Sequence, residues 1–173
     1  MGINDIIIRA EKETDRETIH NLVAESFSSA THTDGDEHNL VDRIRKTDEY
    51  IPELSLVAVY EDKIIGHIMM SKVYVRDQIG VALAPLAVLS EFQRSGVGIS
   101  LVREAHKRAS KQGYGFSVVL GSPGYYSRFG YTAASAFGIK PTFEVPDEYF
   151  MVCKFDVNVL EPGIVEYSKA FGL

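Results

Sequence analysis

Cysteine is almost missing from this chain: Cys153 is the only one in 173 residues, which excludes an intramolecular disulfide framework and any cysteine-rich zinc site. Long apolar runs are missing too. No stretch approaches the ~18 residues that a membrane-spanning helix needs, and the opening MGINDIIIRA has neither the charged n-region nor the long apolar h-region of a secretory signal. A myristoylation signal would need Ser or Thr at position 6, where Ile6 stands. These absences predict a cytoplasmic protein with no membrane partner. Positive charge is scarce as well: 18 Lys and Arg face 24 Asp and Glu, for a net charge of -6. An acidic chain without a broad basic surface is repelled by phosphate backbones, so no nucleic-acid partner is expected.

Hydrophobic residues make up 45% and charged residues 24% of the chain. That mixture and length predict a single globular domain over residues 1–173, which buries roughly 70% of the surface its unfolded chain exposes. The charge is uneven. Residues 93–113 carry Arg94, Arg103, Lys107, Arg108 and Lys111 against Glu104 alone, a local excess suited to a small polyanion docking there.

No internal repeat or low-complexity tract interrupts the chain, so the order of elements carries the fold. Ile6, Ile7, Ile8 and Arg9 read as a strand. Thr14 and Asp15 cap a helix bearing Ile19, Leu22, Val23 and Phe27, and a second helix presents Leu40, Val41 and Ile44 after an acidic loop. Residues 54–60 and 64–70 flank a turn as a β-hairpin whose second arm extends to Val75. Residues 80–89 form another apolar run, interrupted by Pro85, which cannot donate to a sheet ladder and so predicts a bulge or a splayed partner. A helix from about Val97 to Gln112 ends at Gly113, a buried strand covers 116–120, a short helical turn runs from Tyr125 to Phe129, and a late strand covers 150–155. Pro162 and Gly163 mark a turn.

The chemistry concentrates where a strand runs into Gln93, Arg94, Ser95, Gly96, Val97 and Gly98 and then into the basic helix. A helix N-terminus exposes free backbone N–H groups and the positive end of the macrodipole, and glycine lets a phosphate approach them. Two common phosphate motifs fail here. The dinucleotide fingerprint lacks its third glycine and its ribose-binding acid, and no Gly-Lys-Ser/Thr of a Walker loop exists.

Gln93, Gly96 and Gly98 instead match Q/R-x-x-G-x-G/A, and Tyr126, Arg128, Phe129, Gly130 and Tyr131 match Tyr-x-Lys/Arg-Leu/Phe-Gly-Phe/Tyr. With the strand, loop, helix, strand and aromatic turn in this order, the sequence resembles the GNAT superfamily of N-acetyltransferases over most of residues 5–156. The resemblance implies an α/β fold of mixed sheet with splayed parallel strands 4 and 5, flanked by helices. It implies acetyl-CoA as cosubstrate, with no metal, held by Leu86, Ala87 and Val88 of the strand and by Gln93, Arg94, Ser95, Gly96, Val97 and Gly98 of the loop. It also implies a direct transfer in which strand N–H groups meet the thioester oxygen and Tyr126 protonates or hydrogen-bonds the departing thiolate.

Each of these residues has a plainer role as well. Tyr126 beside Tyr125 and Phe129 also fits a packing aromatic. Arg103, Lys107, Arg108 and Lys111 fit the wet face of an amphipathic helix, whereas Arg94, inside the loop, fits a phosphate contact. Arg128 fits either the cofactor or the surface. Asp34, Asp36, Glu37 and His38 are candidate bases and equally a solvated capping loop; with His32 they lack the spacing of a calcium loop or a zinc helix. His67 in mid-strand reads as a hydrogen-bonded structural histidine, and Cys153 as a buried small hydrophobe.

The function implied is acetyl transfer from CoA to a primary amine of a small molecule, or of a protein N-terminus or lysine. A catalytically silent acyl-CoA sensor or interaction module is the alternative. Acidic residues at 34–37, with Glu144, Asp147 and Glu148, favour a cationic amine. The tail after Asp156, with Tyr167 and Phe171 as anchors, has three roles open to it: closing the sheet, shaping the acceptor site or forming a homodimer contact.

Overall fold

The computed structural model describes residues 2–30, 33–155 and 159–173. A seven-stranded mixed sheet carries the molecule, in the order β1-β2-β3-β4-β5-β8-β6. Strand β1 is Ile7–Ala10, β2 is Tyr50–Tyr60, β3 is Lys63–Val75, β4 is Gln78–Val88 and β5 is Phe116–Leu120. The short β6 is Thr132–Ala133, β7 is Ile139–Lys140, β8 is Phe150–Lys154 and β9 is Gly163–Ile164. Helices α1, Arg16–Phe27, and α2, Glu37–Ile44, fill the first crossover; α3, Val97–Lys111, joins β4 to β5; and α4 is the single turn Pro123–Tyr126.

Strands β1 to β4 pair antiparallel, β2 to β4 through two-residue turns and β1 with β2 across the α1–α2 connection, while the helical connection through α3 makes β5 parallel to β4. That parallel pair is brief: only Val81 with Ser117 and Ala82 with Val118 are in register. Beyond them the strands part, as the proline in the apolar run predicts. On the other side of β4 the register with β3 slips by one residue between Ile68 opposite Leu86 and Met70 opposite Leu83, so the bulge also falls around Pro85.

Helix α3 packs on β2 and β3, so closely that a β-carbon on Gly66 would lie 3.0 Å from Leu101 Cδ1. From the other face α1 and α2 cover β3 and β4. The main core joins Ile19, Val23, Val41 and Ile44 to Leu56, Met69 and Leu101, all fully buried. A second cluster, with Val73, Phe116, Val152, Ile139 and Val165, sits under the C-terminal third.

One buried ion pair fixes the crossover. Arg45, at the end of α2, donates through Nη2 to Glu11 Oε2 at 2.6 Å and through Nε to Oε1 at 3.1 Å. The two side chains are 5% and 2% exposed. Burial opposes the charge on Glu11, yet the bonds from Arg45 and from the Tyr50 hydroxyl at 2.7 Å outweigh it and hold the carboxyl below its usual range. A pair so enclosed matters mainly for geometry, because losing either partner strands the other charge.

The expected order of elements stands, with three differences. Strand β2 begins at Tyr50 instead of Leu54, because Tyr50 pairs with Ser71 on the far side of a register break and the strand carries Pro52 across that break. Gly163, expected in a turn, pairs in parallel with Ile139. The minor strands β6 and β7 hold two residues each, too few for any periodic signal. Among the described residues no helix is long and apolar enough to cross a membrane.

Candidate active site

The parting of β4 and β5 leaves a slot at the sheet's centre, and its walls follow from the backbone. Leu89 N–H donates to Ile65 O at 2.9 Å. With the two-residue alternation of an antiparallel pair, Ala87, opposite His67, also turns its backbone to β3, while Leu86 and Val88 turn theirs to the open side. The Val88 carbonyl accepts from Ser26 Oγ at 3.2 Å and from Gln93 Nε2 at 3.1 Å. Gln93 thus ties the loop to the end of β4 with its side chain, and the Ser95 hydroxyl ties it again to the Phe92 carbonyl.

The loop itself is shaped for an anion. Arg94 and Gly96 both have left-handed backbone, with φ of 61° and 88°. For the non-glycine Arg94 this conformation is uncommon and is held by the bonds on either side of it. Gly96 caps α3 without a side-chain partner. The first helical bond runs from Ser100 N–H to Gly96 O, so the amides of Val97, Gly98 and Ile99 have no partner within the helix. Val97 buries its side chain, leaving only its amide for a ligand. Arg94 is exposed beside this row of amides. A β-carbon on Gly98 would come within 2.6 Å of the Tyr125 hydroxyl. Arg128 lies over the Tyr125 ring, 4.9 Å from its centre, so this arginine reaches the rim of the loop through an aromatic neighbour.

Tyr126 stands across the slot from β4. Pro123 opens α4 with its ring pre-set for a first helical position, and Tyr126 N–H donates to Ser122 O at 2.9 Å. Tyr131 of the same aromatic turn is fully buried, its hydroxyl joined to Ser117 Oγ at 2.7 Å and to His106 Nε2 at 2.9 Å. The Tyr126 ring meets Tyr131 edge-on at 5.7 Å. Burial, with a smaller contribution from Tyr125, raises the Tyr126 phenol above its ordinary value, so at neutral pH it is protonated and able to donate. Cys153 lies behind this turn, its thiol against the Phe129 carbonyl and pushed up by burial to about 11. It is inert there.

A cavity of about 430 Å³ continues from the slot. Its floor is the parting strands, residues 82–86 and 118–120, with Tyr126 at one side. Its far wall is Phe27, Leu40, Phe143, Tyr167 and Phe171, and at its rim stand Asp34 and Glu37. Of the acidic loop, Asp34 and Glu37 therefore line the cavity, and Glu37 is the more enclosed of the two. Its Oε1 accepts from the Thr33 hydroxyl, and its Oε2 is buried with no hydrogen-bond partner. Burial raises its carboxyl above the usual range, and Asp34 adds to the effect.

The other acidic candidates are placed differently. Asp36 receives Arg43 Nη1 at 2.8 Å and Asn39 Nδ2 at 2.8 Å. His38 packs edge-on against His20, and His32 lies outside the described residues. His67 is fully buried with its ring bonded to Leu56 O, the structural role its place in the strand suggests. On α3, Arg108 pairs with Glu104, while Arg103 and Lys107 border a separate groove beside Ile6 and Ile8, away from the slot.

The family model described as the acetyltransferase (GNAT) family matches residues 16–131. This chain belongs to the GNAT family. The N-acetyltransferase YhbS of Escherichia coli strain K12 is 32% identical over 171 residues, covering 96% of this chain and 98% of that protein. A crystal structure of E. coli YhbS in complex with CoA covers 98% of this chain and 93% of its own, with a TM-score of 0.86 and 30% identity. A GNAT-family acetyltransferase from Brucella melitensis, solved with acetyl-CoA, superposes at a TM-score of 0.80 with 29% identity, over 96% of this chain and 97% of that one. The chain is thus a GNAT N-acetyltransferase of mixed α/β fold, as its strand, loop and aromatic turn imply.

Proposed function

We propose that this GNAT enzyme moves an acetyl group from acetyl-CoA directly to the primary amine of a small molecule. The observation that carries the reading is the two-rung pairing of β4 with β5, which opens a slot flanked by the anion loop at one end and Tyr126 at the other. The relatives solved with CoA and acetyl-CoA support the choice of donor.

The residues present fit such a donor. Loop amides of Val97, Gly98 and Ile99, with Arg94 beside them, offer donors and charge for a pyrophosphate, and the bare Cα of Gly98 permits the approach. The open-side amides of Leu86 and Val88 can pair with an extended pantetheine arm as an adjacent strand would, and an amide so fixed stabilises charge developing on a thioester oxygen. Ala87 serves this site by keeping β4 paired to β3. Bound acetyl-CoA supplies an activated acyl group and a thiolate leaving group. Tyr126 holds the proton for that sulfur, and its protonated phenol is the form required. The small-molecule reading rests on the cavity, whose far wall is closed by the C-terminal segment.

Calorimetric titration of the purified protein with acetyl-CoA, CoA and ATP tests this. Binding of both CoA species without ATP, together with acetyl-CoA-dependent acetylation of an amine, is the expected result. A folded protein that binds neither CoA species would sink the proposal.

A further inference from the structure

The cavity has a chemical character of its own beyond the slot. Apart from Asp34 and Glu37 its described lining is apolar or aromatic, and no Lys, Arg or His contributes to it. Phe143, Tyr167 and Phe171 form a continuous aromatic wall, with ring centres 6.1 Å and 5.0 Å apart along the series. This wall is assembled from the tail and from the loop before β8. Arg43 holds its position: Nε donates to Ala170 O at 3.0 Å, while Nη1 holds Asp36 at the head of α2, one residue before Glu37. One side chain therefore sets both the aromatic wall and the acidic rim.

From this arrangement we infer that the acceptor is a primary amine on an apolar or aromatic body, its ammonium at Glu37 and Asp34 and its body against Phe143, Tyr167 and Phe171. The inference rests on the acetyl-transfer reading above. A buried carboxylate oxygen without a partner is costly, and a cation supplies the partner it lacks. Aromatic faces add a second attraction for the ammonium and for the carbons that bear it. A polyamine or an aminoglycoside would bring several further charges or hydroxyls against a wall of Phe27, Leu40, Phe143, Tyr167 and Phe171 that offers them the Tyr167 hydroxyl alone, and most of their desolvation would go unrepaid.

In this arrangement Glu37 takes one proton from the ammonium through Oε2, freeing the nitrogen lone pair. Its elevated carboxyl suits it to that proton. The nitrogen forms the C–N bond to the acetyl carbon, the C–S bond breaks with its electron pair going to sulfur, and Tyr126 gives the sulfur its proton. The surplus proton on the new amide nitrogen replaces the one Tyr126 gave, and the proton on Glu37 leaves to solvent.

The test compares 2-phenylethylamine, spermidine and a lysine-rich peptide as acceptors, with acetyl-CoA binding measured on the same preparation. The expected result is a kcat/KM for 2-phenylethylamine about tenfold or more above the other two. F171A should raise KM for that amine alone. E37Q should lower kcat and abolish the rising limb of the pH profile, with the acetyl-CoA Kd unchanged, and that limb is a readout a purely structural Glu37 would not move. Preference for spermidine or the peptide, equal use of all three, or bound acetyl-CoA with no 2-phenylethylamine turnover would overturn the acceptor assignment and leave the donor site standing. Failure of the folded protein to bind acetyl-CoA would overturn both.

Discussion

A β-carbon on Gly121 would sit 2.4 Å from Cε2 of the Tyr126 ring. The absent side chain of one residue is thus what lets the phenol of the other lie over the end of β5 and face the slot. G121A should displace the ring and lower kcat, while Y126F, which keeps the ring and removes its proton, should lower kcat by about 10² to 10⁴. In Y126F the acetyl-CoA Kd should stay within about threefold of the parent, since only a transition-state contact is lost. Steady-state kinetics beside calorimetry check both, and unchanged turnover of Y126F would remove the tyrosine from the chemistry.

Gly98 and Tyr125 form a second tight pair. G98A places a methyl 2.6 Å from the Tyr125 hydroxyl and should weaken CoA binding by about tenfold, because either the loop or the tyrosine must shift. Removing the hydroxyl restores the space, so the double variant G98A/Y125F should bind CoA more tightly than G98A alone. Titration calorimetry on the single and double variants reads this coupling directly.

Arg43 is half-exposed, and its ion pair with Asp36 contributes little by itself. Its loss should cost about 1 kcal/mol of stability, mainly from the Ala170 carbonyl left without a donor. The larger effect of R43A should fall on the acceptor: KM for the amine rises while the acetyl-CoA Kd does not. Equal changes in both would place Arg43 outside the acceptor wall.

Histidine burial predicts the acid behaviour. Desolvation lowers His67 to about 4, with its Nε2 unpartnered, and lowers His106 to about 4 as well. The unfolded chain takes up these protons near the ordinary value of 6.5, while the folded chain resists them until about 4. Stability should therefore be undiminished by these groups above pH ~6.5 and fall as pH drops through that window, by up to about 3 kcal/mol for His67. Urea midpoints at pH 7 and pH 4.5 measure the slope. H67Q keeps a donor for the Leu56 carbonyl and should flatten it.

The part of the site proposed for the donor is legible in sequence because it is local. Gln93, Gly96, Gly98 and Tyr126 carry their meaning in spacing, and Pro85 announces the break in the ladder. The part proposed for the acceptor is not. Phe27, Leu40, Phe143 and Tyr167 come together only through tertiary packing, and no periodicity links positions so far apart. Asp34, Asp36, Glu37 and His38 are indistinguishable as a string, and only the fold aims Glu37 inward while Arg43 occupies Asp36. The same holds for Gln93: its place in the motif is plain, but its bond to Val88 O depends on where β4 ends.

Few backbone contacts join β4 to β5: Val81 pairs with Ser117, Ala82 with Val118, and Gly115 N–H donates to the Ile79 carbonyl. Mechanically the sheet is two plates meeting at a narrow seam, and a ligand lying along that seam would bond to one plate while packing on the other. Donor binding is then also a stiffening event. Amide hydrogens of Leu86 and Val88, which face the gap, should exchange quickly in the free protein and slowly once it is filled. Because residues 82–86 and 118–120 also form the floor of the cavity proposed for the amine, that cavity would be complete only after the seam is closed, and turnover should follow a compulsory order with the donor first.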